Sequence, residues 1–281
     1  MTSRSAADCR RRWTELKEAQ GAALKKFVRA QTEACRDRPI VFLCGDSIFE
    51  GRATAQALGV DAHDDLDLLL CPETGLSFLA EAHDEAWRAV FVGPSEFDSL
   101  DAFLRLYASH DRDWVVLQDS GPRPAGEDAF TPLLDGRMAH VAERGCRGLW
   151  LTSPTSAAAQ ARYDWSVVAF DGALSPNSLS RKLASSRGMA VLDMEALCRR
   201  LEADTSEIGL FLKDGVHLSL PGYLLLISGI FTAVASRTPD PSVLAHRLAP
   251  VWPAGPAAGG LNASRLPDFC SKICSILGSS G

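Results

Sequence analysis

A chain of 281 residues with 46% apolar and 23% charged side chains can bury a sizeable core, and its length suits one large domain better than two small ones. Its 29 basic against 35 acidic side chains give a net charge of −6 and a pI near 5.5. That balance argues against nucleic acid as a main partner, because such binding leaves a basic stripe, and no charge run marks an interaction tail.

Residues 1–38 are charged, with Arg10, Arg11, Arg12, Lys17 and Lys25 against Asp8, Glu15, Glu18 and Glu33, and they lack the apolar segment of a secretory leader. Trp13, Leu16, Leu24, Phe27 and Val28 recur at helical spacing, which predicts an amphipathic lead-in helix over 8–35. Pro39 ends it, and Ile40 to Cys44 is a continuous apolar run of the kind found in buried parallel strands. A helix is expected over 48–58. Leu66 to Cys71 is a second apolar run, followed by Pro72-Glu73-Thr74-Gly75 and a helix over 76–87. A short strand over 89–92 and a helix over 99–109 come next.

Trp114 to Gln118 is the next strong strand, broken at Ser120-Gly121-Pro122. A helix over 133–143 and a strand over 148–152 follow, then a polar stretch over 153–171 whose Tyr163 and Trp165 would cover a site. A helix over 177–187 leads to a last strand over 190–193. Strands alternating with helices predict a three-layer α/β domain, a parallel sheet with helices on both faces. Leu218 to Val234 is interrupted by Pro221, Gly222, Ser228 and Gly229, so it reads as a buried helix rather than a membrane span. From Pro239 onward Pro, Gly and Ala dominate. The expected organisation is a helical lead-in (1–38), an α/β domain (39–238) and a peripheral tail (239–281) whose short terminal helix packs on the domain.

Eight cysteines are present without a framework spacing. Cys44 and Cys71 lie in apolar runs, Cys9, Cys35, Cys146 and Cys198 are scattered, and Cys270 and Cys274 are four apart on the terminal helix. Reduced, packing cysteines are expected, with no metal site. The sequon Asn262-Ala263-Ser264 has no secretory context beside it, so a cytoplasmic location is expected.

In open α/β sheets ligands bind beyond the carboxyl ends of the strands. The first strand ends in Cys44-Gly45-Asp46-Ser47, where Gly45 permits a tight turn and Ser47 opens a helix. A serine there can attack a carbonyl while helix N-terminal N–H groups hold the oxyanion, although Asp46 or Ser47 would equally serve as a plain helix cap. A hydroxyl nucleophile needs a base oriented by a third group. Of six histidines only His217 follows an aspartate by three residues, in Lys213-Asp214-Gly215-Val216-His217, where Gly215 permits Asp214 to turn back onto the imidazole.

Gly45-Asp46-Ser47-Ile48 and Asp214-x-x-His217 together resemble the end blocks of the GDSL/SGNH hydrolases over about residues 39–238. Phe49 stands where a nucleophile elbow has its second glycine, which disfavours an ordinary α/β-hydrolase. The resemblance implies a flavodoxin-like fold with a five-stranded parallel sheet, a Ser47–His217–Asp214 triad, no cofactor, and a small-molecule ester as the partner. It also implies an oxyanion glycine after the second strand, for which Gly75 is a candidate although it reads equally as an ordinary helix-start turn, and an asparagine after the third. This chain has Gln118-Asp119-Ser120 instead of the asparagine. Gln118 or Ser120 can donate in its place, whereas an ionised Asp119 only accepts. Ester hydrolysis through an acyl-enzyme is the leading reading. An acyltransferase with the same triad and a ligand-binding protein on a catalytically degenerate hydrolase fold remain open.

Ser153 has no associated histidine, and His63-Asp64-Asp65 with Asp67 reads as a solvated turn. His83, His110 and His140 fall on polar faces of expected helices, and Asp193 is expected to cap or pair locally. No phosphate loop occurs.

Overall fold

The computed structural model describes residues 39–45, 47–50, 72–92, 104, 108, 111–118, 126–155, 175–250, 252–253 and 258–279. Five short runs form the sheet: β1 (Ile40–Cys44), β2 (Arg88–Val92), β3 (Trp114–Gln118), β4 (Arg147–Leu151) and β5 (Ala190–Leu192). They lie in the order β2-β1-β3-β4-β5, each pair parallel. Every residue of β1 is buried, because helices cover both faces, and so it reads as an unbroken apolar run. The period of two survives in which cluster each side chain joins. Val41, Leu43, Val116, Leu149 and Leu151 join one apolar cluster, while Phe42, Cys44, Val115, Leu117 and Trp150 join the other.

Eight helices are described: α1 (Ser47–Glu50), α2 (Pro72–Ala82), α3 (Gly126–Glu143), α4 (Pro176–Ser186), α5 (Met194–Asp204), α6 (Leu220–Ala235), α7 (Pro241–Leu248) and α8 (Leu266–Gly278). Leu134, Met138 and Val141 of α3 and Leu179 of α4 cover the second cluster. The first is covered by α2, α5, α6 and α8, with Ile48 and Phe49 of α1. The expected three-layer α/β architecture with a flavodoxin-like strand order is present. No described helix is long and apolar enough to cross a membrane.

Several elements differ from expectation. The helix foreseen over 76–87 runs from Pro72 to Ala82, and the one foreseen from 133 begins at Gly126. The lead-in 1–38, the run Leu66–Cys71 and the stretch 156–174 lie outside the described residues. Beyond Pro239 the described helices α7 and α8 pack into the core. Leu244 and Leu248 of α7 and Phe269, Ile273 and Ile276 of α8 join the same cluster as the strands. Composition hid this, because a Pro-rich segment can still open a helix. Asp240 caps α7 by accepting from the Ser242 amide, and Pro241 takes the first helical position, where its missing N–H costs nothing.

The order β2-β1-β3 sets the location of a site. The chain leaves β1 toward β2 on one side and then crosses to β3 on the other. The carboxyl ends of β1 and β3 therefore flank the crevice where such sheets bind ligands.

Candidate active site

Two strand ends and one loop build this crevice. Cys44 pairs with Leu117, so Gly45 and Gln118 come next on adjacent strands. A Cβ on Gly45 would lie 2.5 Å from the Phe49 ring and 3.0 Å from the Gln118 carbonyl oxygen. Only glycine admits so close an approach, and the approach lets the chain turn at once from β1 into α1. Ser47 is the first residue of α1, and its side chain lies outside what is described, as do Asp46, Asp119 and Ser120. Gln118 is fully buried and alternates with Leu117 onto the face of the first cluster. That is the face from which the 210–223 segment reaches the sheet, through Leu210, Phe211, Leu218 and Tyr223.

Gly75 sits elsewhere than expected. It is the fourth residue of α2, ahead of β2, and not in a turn that follows the second strand. A fourth helical residue is the first whose N–H reaches back to a carbonyl within the helix, so this position is poor for an oxyanion donor.

The loop carrying Asp214 and His217 is closely bonded within itself. Phe211 and Leu218 form an antiparallel bridge, the Leu212 amide donates to the His217 carbonyl at 2.8 Å, and the Ser219 amide donates to the Leu210 carbonyl at 2.9 Å. Gly215 turns the tip with φ of +71°, a conformation that costs any other residue strain. The turn brings Asp214 Oδ2 to 2.8 Å from His217 Nδ1, while Oδ1 accepts from the amides of Val216 (2.9 Å) and His217 (3.0 Å). Partial burial pushes the Asp214 carboxyl up, but the Val216 amide, the His217 ring and the His217 amide outweigh it and hold the carboxyl below its usual range. An ionised Asp214 carboxylate can only accept, so the Nδ1 that faces it at 2.8 Å carries a proton. Ser219 then caps α6: its hydroxyl accepts from the Gly222 amide and donates to the Gly209 carbonyl at 2.7 Å.

One contact ties this loop to the turn that Ser47 follows. The Tyr223 phenol, fully buried in the first turn of α6, donates to the Ile48 carbonyl at 2.8 Å. Ile48 immediately follows Ser47. The sequence held no local signal for this bond, since its partners are 175 residues apart.

The neighbouring carboxyl ends of β4 and β5 carry a different arrangement. Arg181 donates to Asp193 Oδ1 at 2.8 Å and to Glu195 Oε2 at 2.6 Å. Thr152 donates its hydroxyl to Asp193 at 3.1 Å, and Asn177 clamps the Ser153 main chain, accepting from its amide at 2.8 Å and donating to its carbonyl at 3.1 Å. Burial raises the Asp193 carboxyl, but Arg181, the Ala196 amide and Thr152 bring it below its usual range. Asp193 also caps α5, the local role expected of it. Burial pushes the Cys44 and Cys198 thiols well above their ordinary range, and Cys270 up to about 12, in keeping with packing roles. Among the described residues no group of three or more His, Cys, Asp or Glu could hold a metal ion, and the His63–Asp67 turn lies outside them.

No protein-family model matches the chain, and no curated protein matches it. Among solved structures it is similar to an acetyl xylan esterase, with 15% identity, 69% of this chain and 99% of that chain covered, and a TM-score of 0.47. A second solved structure is similar at 14% identity over 72% of this chain and 98% of its own, with a TM-score of 0.41. Likeness at that level does not reach to chemistry, which rests on the side chains.

Proposed function

We propose that the chain is a serine esterase of the GDSL/SGNH type, cleaving a small O-acyl ester through an acyl-enzyme. The observation that carries this reading is the Asp214 carboxylate 2.8 Å from His217 Nδ1, on a loop tied to the helix that Ser47 opens. In the first half-reaction Ser47 Oγ attacks the acyl carbon as His217 Nε2 takes the hydroxyl proton. Asp214 stays ionised and stabilises the imidazolium. The Ser47 amide holds the carbonyl oxygen as it becomes negative, with Gln118 or Ser120 as side-chain donors in place of an asparagine. Collapse of the tetrahedral species breaks the bond to the alcohol, which leaves with the proton from His217. Water then repeats the sequence: His217 takes its proton, the hydroxide adds to the acyl carbon, and Ser47 departs with the proton returned. A small acyl group such as acetyl, on a sugar or another hydroxylated metabolite, is the proposed substrate class.

Reaction of the full chain with a fluorophosphonate probe tests nucleophile and base together. Stoichiometric labelling of the wild type, abolished in Ser47→Ala and slowed by three orders of magnitude or more (~10³) in His217→Ala, is the expected result. A wild type that does not label is a binding protein on a hydrolase fold, and the reading fails. Efficient transfer of acetyl from p-nitrophenyl acetate to added alcohols, at the expense of hydrolysis, would identify an acyltransferase instead.

A further inference from the structure

A triad assembled from opposite ends of a chain needs something to hold its two halves in register. Ser47 and His217 lie on separate elements, and attack requires Oγ and Nε2 at hydrogen-bond distance within a few tenths of an ångström. The base half is rigid within itself: Asp214, Gly215 and the bridge between Phe211 and Leu218 fix the ring relative to its own loop. Those bonds do not fix the loop relative to α1. The nucleophile half is equally self-contained, with Gly45 pressed against the Phe49 ring and the Gln118 carbonyl.

We propose that Tyr223 is the positioning residue joining the two halves, its phenol tethering the base-bearing segment to the main chain of the nucleophile helix. This rests on the serine-hydrolase reading above. The bond is 2.8 Å and fully buried, so it is shielded from competing water. Both of its ends are short and stiff. The Ile48 Cα is one trans peptide, about 3.8 Å, from the Ser47 Cα. Tyr223 is six residues beyond His217, and its amide donates to the Ser219 carbonyl at 2.9 Å, one residue after the bridge that closes the base loop. A tyrosine ring has only two side-chain torsions, so a displacement of α6 is passed to α1 rather than absorbed. Tightly fitted neighbours prevent α6 from drifting along its axis. A Cβ on Gly222 would lie 2.3 Å from the Leu210 carbonyl oxygen, so the helix start is pressed directly on the base loop.

The test is Tyr223→Phe in the full chain, which keeps the ring and its packing and removes only the hydroxyl. The fluorophosphonate labelling rate and kcat for p-nitrophenyl acetate are expected to fall ~10- to 100-fold, as for a triad loosened by a fraction of an ångström. KM should move less than about twofold, and the pH–rate profile should keep its midpoint, because the Asp214–His217 bond is untouched. Thr205→Val is the matched control. It removes another buried hydroxyl-to-carbonyl bond, Thr205 to Leu201 at 2.6 Å, from the far end of α5, and it should lower Tm comparably while labelling at the wild-type rate. Wild-type labelling by Tyr223→Phe overturns the proposal and leaves the esterase reading standing. So does an equal loss of labelling in both variants, which would make the bond merely structural. A wild-type chain that does not label overturns the esterase reading and this proposal with it.

Discussion

His217 and His83 each lie beside an aspartate and are each bonded through Nδ1, yet the two rings are held in opposite ways. His83 Nδ1 donates to the Leu79 carbonyl at 2.9 Å, and its Nε2 accepts the Asp240 amide proton at 2.7 Å. An N–H aimed at Nε2 requires a neutral ring, and both nitrogens are spent on the main chain. His83 is thus a strut that fastens the end of α2 to the cap of α7. The Phe231 ring is 5.0 Å away, and Arg237 donates to the His83 carbonyl at 2.6 Å. His217 meets the carboxylate of its aspartate instead of the amide. Proximity of Asp to His does not make a base. Which atom of the aspartate is presented decides how the ring is held.

The largest effect that could break this contrast is chemical. Asp214→Asn keeps the shape of the loop but removes the negative charge at Nδ1, and it should cut the labelling rate by about 10³- to 10⁴-fold with little change in Tm. Retention of full activity would mean that the carboxylate is not what distinguishes His217. A structural loss of middle size is expected at the other ring. His83→Ala leaves the Asp240 amide without its acceptor and should cost roughly 1–2 kcal/mol, a few degrees of Tm, at an unchanged labelling rate. A fall in activity at a temperature where the variant is fully folded would make His83 more than a strut.

The smallest effect is on acid stability. Asp214 and Asp240 are both held below their ordinary carboxylate range, Asp240 by the Ser242 hydroxyl and amide. Groups lowered on folding stabilise fully above the unfolded value, about pH 4, and lose that contribution as pH falls through the lower folded values. Tm should therefore be flat from about pH 7 to 5 and drop below about pH 4, with a shallower drop in Asp214→Asn. A slope identical in the variant would remove Asp214 from the set of groups responsible.

Strand positions were legible because a sheet buried on both faces writes itself as apolar runs, and Ile40–Cys44 and Trp114–Gln118 fall where expected. Asp214 and His217 were legible because their bond closes within three residues of chain. The α5 and α7 helices were missed although each carries its start signal locally, Asp193 capping one and Asp240-Pro241 opening the other. Tyr223 could not have been found, because an aromatic in an apolar helix reads as core until its distant carbonyl is known. Gly75 allowed two local readings, and its place in the first residues of α2, ahead of β2, fits the helix-start turn.

The close packing of Gly259 bears on how the molecule assembles. Its φ is +58°, its carbonyl accepts from the Gly209 amide at 2.8 Å, and a Cβ there would lie 2.1 Å from the Gly209 carbonyl oxygen. The residues just before the base loop are thus braced by chain some fifty positions downstream. Contacts of such long sequence separation form late and slow folding. On a translating ribosome the turn at Gly45 would emerge well before the Gly259 brace, because the two lie far apart along the chain. Until that brace arrives, a nascent chain would carry Ser47 beside an Asp214–His217 loop that lacks its support from downstream.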